Sequence, residues 1–150
     1  MTIKDITAAD RDEFIAMETD FYNSPAVLHE VKRENFIRTF DRLMEGSPFI
    51  RCLFFRDDNS GAALGYALLA FSYSNEAGGN VVWVDELYVK SEYRGMGIGN
   101  RFFDFLSNEY KSFARFRLET EPTNDGAKRL YKRMGFEPLE YSQMIKDRLT

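Results

Sequence analysis

The sequence predicts an α+β protein built on a mixed, mostly antiparallel sheet flanked by helices. Strand-like segments dominate the first part, at residues 2–6, 50–56, 63–72 and 81–89, and polar turns join the last three, as in antiparallel hairpins. After Val89 the order becomes helix, strand, helix, an alternation that brings parallel pairing. Between Val89 and the next helix lies a glycine-rich turn, Arg94-Gly95-Met96-Gly97-Ile98-Gly99.

The helices follow from spacing. Residues 10–22 carry Phe14, Ile15, Glu18, Phe21 and Tyr22 at helical intervals, and Pro25 ends the run by biasing its predecessor away from the helical region. Residues 33–44 turn Phe36, Ile37, Phe40 and Leu43 inward, and Gly46-Ser47-Pro48 stops them. Residues 81–89 read as a buried strand, apolar and β-branched, interrupted by Asp85 and Glu86. Strict alternation puts Glu86 on one face with Val82, Val84 and Tyr88, and Asp85 on the other with Trp83, Leu87 and Val89. The helix after the glycine turn places Ile98, Phe102, Phe105 and Leu106 on one side. Residues 113–119 alternate cleanly, with Ala114, Phe116 and Leu118 opposite Arg115, Arg117 and Glu119. Asn124 is a helix N-cap before Ala127, Leu130, Tyr131 and Met134, and Gly135 is the residue expected just past the helix end. Residues 136–141 and 143–146 complete the pattern as closing strands. No repeat or linker divides the chain, so one domain over residues 1–150 is expected.

The glycine turn proposes a phosphate cradle. Glycine permits positive φ and close backbone approach, while successive N–H groups ahead of a helix attract anions. A triphosphate P-loop is excluded, because no Lys-Ser or Lys-Thr follows the glycines. A dinucleotide fingerprint starting at Gly95 needs glycine at position 100, which is Asn100. Arg94, Gly97 and Gly99 do fill the pattern (Arg/Gln)-x-x-Gly-x-(Gly/Ala), which resembles the acetyl-CoA loop of the GCN5-related N-acetyltransferase superfamily. A second stretch strengthens the resemblance: Asn124, Ala127, Tyr131, Gly135 and Phe136 match Asn-x-x-Ala-x-x-x-Tyr-x-x-x-Gly-Phe, in the expected order. The likeness is good from about residue 50 to 141 and holds only in general plan before that.

The resemblance implies a sheet whose two neighbouring parallel strands splay apart to admit acetyl-CoA. It implies that Arg94, Gly95, Met96, Gly97, Ile98 and Gly99 hold the pyrophosphate. The backbones of Leu87, Tyr88 and Val89 are expected to pair with the pantetheine arm like an added strand, with Asn124 and Tyr131 also touching the cosubstrate. It implies acetyl transfer to an amine, by direct attack in a ternary complex. Tyr131 is then the general acid. Glu86 is the candidate base, acting directly or through water, with a structural carboxylate as the alternative. Phe21, Tyr22 and His29 lie where the family lines its acceptor pocket, and residues 71–80 are expected to border it. Small amines or polyamines are the first acceptor class, a peptide amine the second, and a CoA-binding module without turnover the reading from another class. A homodimer is possible by the same likeness.

Composition agrees. The chain is 44% apolar with 14 Phe, enough for a substantial core. The net charge of −4 argues against nucleic acid as a partner. The single Cys, Cys52, cannot form an internal disulfide and reads as a small buried hydrophobe. No metal-ligand spacing occurs, so no metal is expected. There is neither a membrane-spanning apolar run nor a signal-like N-terminus, and the cytoplasm is the expected compartment.

Overall fold

The structure is a computed structural model that describes residues 1–148. Its elements run β1 (Thr2–Asp5), α1 (Arg11–Tyr22), α2 (Arg33–Met44), β2 (Ile50–Arg56), β3 (Ala63–Ser74), β4 (Gly79–Val89), α3 (Ile98–Glu109), β5 (Arg115–Leu118) and α4 (Asp125–Arg133). Short 3-10 turns precede α1, at Ala8–Asp10, and the glycine loop, at Ser91–Tyr93.

The five strands pair in sequence order. β1 to β4 are antiparallel neighbours, while β4 and β5 are parallel. The parallel ladder covers only Val81–Val84 against Arg115–Leu118, although β4 continues to Val89. Beyond that point the two strands part, which is the expected splayed pair.

Period-2 alternation divides the core between the two faces of the sheet. Cys52 and Phe54 of β2, with Tyr66 and Leu68 of β3, pack against Phe14, Ile15 and Met17 of α1 and Phe36 and Phe40 of α2. Leu53, Phe55, Ala67 and Leu69 face the other way, onto Ile98, Phe102, Phe103 and Leu106 of α3. Gly65 permits the tight β3–β4 approach, since a Cβ there would stand 2.1 Å from the Tyr88 carbonyl oxygen.

Two sequence expectations are corrected. β4 does not alternate strictly. Leu68 pairs with Glu86 and Leu69 with Val84, so Asp85 is one extra residue, a β-bulge. Val82 and Val84 therefore pack on the α3 face, while Glu86 and Tyr88 turn toward α1. The second correction concerns the tail, where residues 136–146 form no strand. Leu139, Tyr141, Met144 and Ile145 stand exposed there, with the Tyr141 hydroxyl donating to Glu76 over 3.0 Å.

Candidate active site

The site forms where β4 leaves β5. A cavity of about 100 Å³ opens there, lined by Phe21, Ala26, Val84, Asp85, Leu87, Glu119, Thr120, Glu121, Asn124, Ala127 and Tyr131. α1 contributes Phe21, the bulged strand Asp85, the run-out of β5 its two glutamates, and α4 its inner face. A broader, open groove beside α1 and Arg33 lies away from the glycine loop and has none of these groups.

The glycine loop adopts the geometry the sequence suggested. Gly95 and Gly97 have φ of 76° and 77°, in the left-handed region that glycine alone enters freely. Gly97 caps α3, whose first N–H groups have no acceptor within the helix. Space is open where a Cβ would sit on Gly95 or Gly97. Arg94 locks the loop to the sheet, its Nε donating to the Val89 carbonyl over 2.9 Å. Gly99 has a different duty: a Cβ there would lie 2.6 Å from Leu130 Cδ2, so its bareness lets α3 and α4 pack. Met96 is exposed, whereas Ile98 is a core residue. These amides and this open space suit an anionic cosubstrate head.

Asn124 caps α4, its side-chain oxygen accepting from the Ala127 N–H over 3.1 Å. That fixes the turn of helix which carries Tyr131 into the cavity. The Tyr131 ring packs edge-on to Phe103, and burial raises its hydroxyl pKa, so the phenol keeps its proton near neutrality.

Asp85 projects from the bulge into the same cavity. Desolvation raises its pKa first, and the nearby Glu119 charge adds to the shift. Glu121 is held low by hydrogen bonds from Thr123. No Lys, Arg or His lines this cavity.

Glu86 is not among the lining residues. It is 5% exposed and accepts from the Tyr22 hydroxyl over 2.5 Å and the Tyr66 hydroxyl over 2.8 Å. Tyr22 thus serves the interior, and Phe21 alone of that pair reaches the cavity. The Tyr88 side chain also faces α1, so only its backbone is available to the gap. Leu87 lines the cavity, and Val89 packs on the α3 side. His29 is exposed and lines neither opening. Residues 71–80 do not line the cavity, and Glu76 in their turn pairs with Arg115. Sequence reasoning had the two adjacent carboxylates in view, but the bulge that gives the cavity to Asp85 leaves no signature in residue type.

This topology, with its splayed parallel pair and its glycine loop, is that of the acyl-CoA N-acyltransferase fold. The sequence pattern of the Acetyltransferase (GNAT) family matches residues 11–136, and the chain belongs to that family. It is an acyltransferase enzyme. It is 28% identical to a thialysine N-epsilon-acetyltransferase of Mus musculus, over 94% of this chain and 86% of the mouse protein. A Bos taurus protein of the same description is 33% identical over 62% of this chain and 59% of its own length. Among solved structures, a possible acetyltransferase from Clostridium difficile 630 superposes with a TM-score of 0.83, at 18% identity, covering 99% of this chain and 98% of the other. AAC(6')-Iy, in complex with the bisubstrate analogue CoA-S-monomethyl-acetylneamine, gives a TM-score of 0.78 at 14% identity over 99% and 98% of the two chains.

Proposed function

We propose that this enzyme moves the acetyl group of acetyl-CoA directly onto the primary amine of a small, cationic, polyamine-like molecule. The observation that carries the reading is the meeting of Asp85 and Tyr131 across one cavity. When bound, acetyl-CoA supplies the activated thioester. The loop amides from Gly95 to Gly99 and the N-terminus of α3 fit its phosphates, and the unpaired edge of β4 after Val84 fits its pantetheine amides.

A protonated amine has no lone pair to attack with. Asp85, directly or through one water, takes that proton, and its raised pKa brings its basicity closer to the task. The amine nitrogen bonds to the acetyl carbon as the C–S bond breaks; Tyr131 gives its hydroxyl proton to the departing thiolate sulfur, and the surplus proton on the acylated nitrogen restores the phenol. Asp85, Glu119 and Glu121 favour a cationic acceptor at the cavity mouth. The mouse relative, by its name, acts on a side-chain amine, which supports the same acceptor class. Glu86 has no place at the reacting atoms in this proposal. Cytoplasmic work accords with the single free thiol, Cys52.

We also propose that two copies associate through the tail. Among the described residues the outer edge of β5 has no strand beside it, and Leu139, Tyr141, Met144 and Ile145 lie uncovered.

The test is calorimetric titration with acetyl-CoA, followed by an amine panel read by thiol release. Micromolar binding and turnover with di- or polyamines is the expected result. Binding without turnover on any amine overturns the catalytic reading, and no binding overturns the cosubstrate.

A further inference from the structure

The most unusual chemistry outside the cavity lies just beneath it. Glu18 of α1 and Glu86 of β4 are 1% and 5% exposed, and their carboxyl groups are hydrogen-bond neighbours. Neither makes an ion pair among the described residues. The ionisable groups facing them are Tyr22 of α1, Tyr66 of β3, Cys52 of β2 and Asp85 of β4, none a cation. Both Glu86 oxygens already accept a tyrosine hydroxyl. Glu18 Oε2 is fully buried with no donor against it. Two ionised carboxylates touching in a dry core repel strongly, and an acceptor-only group cannot bond to another. One proton between them resolves both problems. Burial raises both groups, but the two tyrosine donors stabilise the anion on Glu86 while Glu18 Oε2 has none, so Glu86 is the ionised member and the proton resides on Glu18.

We infer that Glu18 is a positioning residue whose neutral carboxyl donates to Glu86 and, by pinning it beneath the sheet, fixes the β4 bulge that presents Asp85 to the substrate. The register supports the link. Glu86 is the residue immediately after the bulge, and it pairs with Leu68 one place out of step with Val84 and Leu69. With three donors around it, Glu86 cannot swing to the α3 face without stranding Tyr22, Tyr66 and Glu18 in the core. Asp85 is thereby left as the extra residue. This inference rests on the proposed role of Asp85.

The experiment compares Glu18→Gln with Glu18→Leu. The amide of Gln still donates to Glu86, so Glu18→Gln is expected to keep kcat within about 3-fold of the parent. Leu removes the donor. Its kcat is expected to fall by at least about 10-fold while acetyl-CoA affinity, measured by calorimetry, stays the same. The acid limb of its pH profile is expected to shift as Asp85 loses its fixed environment. An unchanged kcat in folded Glu18→Leu overturns the inference, as does Glu18→Gln falling as far as Leu.

A second readout needs no substrate and no folded Leu variant. A carboxyl whose folded pKa is raised stabilises the fold fully below its unfolded value, and that stability is lost as pH rises toward the folded one. The Tm of the parent should therefore fall relative to Glu18→Gln between pH 5 and 8, by roughly 5 °C or more. Parallel Tm curves overturn the proton's placement on Glu18. If the parent itself acetylates no amine, the function proposed above fails while this Tm comparison still decides the buried pair.

Discussion

At the scale of single residues, the protein separates two neighbouring carboxylates by environment. Asp85 faces a cavity among Glu119 and Tyr131, whereas Glu86 sits in a cage of hydroxyls. Only the ionised form of Asp85 accepts a proton, so kcat/KM should rise with pH through its raised pKa, above the ordinary aspartate range. Asp85→Asn should lower kcat/KM roughly 100-fold and erase that limb, as read from a pH–rate profile. A limb that survives in the variant would assign it to another group. Tyr131→Phe keeps the ring packed on Phe103 but removes the proton, and a fall of roughly 100-fold in kcat with little change in acetyl-CoA affinity is expected.

At the scale of elements, Gly97 and Gly99, two residues apart, do different work. Gly97→Val forces a branched side chain to φ near 77° and fills the space above the loop. It should cost about 1–2 kcal/mol in strain and, more tellingly, weaken acetyl-CoA binding in calorimetry. Gly99→Ala presses instead on Leu130 of α4, so its effect should appear in Tm more than in affinity. Equal affinity losses in both would mean that Gly99 also approaches the ligand. Element types were legible because each carries a physical signal. Pro25 follows the end of α1 and Gly46 that of α2, Asn124 caps α4, and Phe102 and Leu106 mark the inner side of α3. The bulge was not legible. It is a matter of how β3 and β4 register against each other, a long-range fit that no residue at position 85 announces. The face assignment of Glu86 failed with it. The tail misled for a related reason: residues 136–146 complete the expected run of strands, yet a strand exists only where another pairs with it.

At the scale of the whole molecule, the sheet ends at β5, whose outer edge has no partner strand among the described residues, and the apolar side chains of the tail lie uncovered. Light scattering at micromolar concentration should therefore give the mass of two chains, and truncation after Phe136 should give one. A monomeric parent would remove the proposed association. Among the described residues no helix is long and apolar enough to cross a membrane, and no cluster of metal-binding side chains occurs.

The parting of β4 from β5 has a thermodynamic side as well. From Asp85 to Val89 one edge of β4 has no paired strand among the described residues, so part of the sheet's hydrogen bonding is left to whatever fills the seam. A ligand that binds the folded chain alone adds RT ln(1 + [L]/Kd) to its stability. If acetyl-CoA fills the seam as proposed, its cellular level sets not only how fast the enzyme turns over but how much of it stays folded.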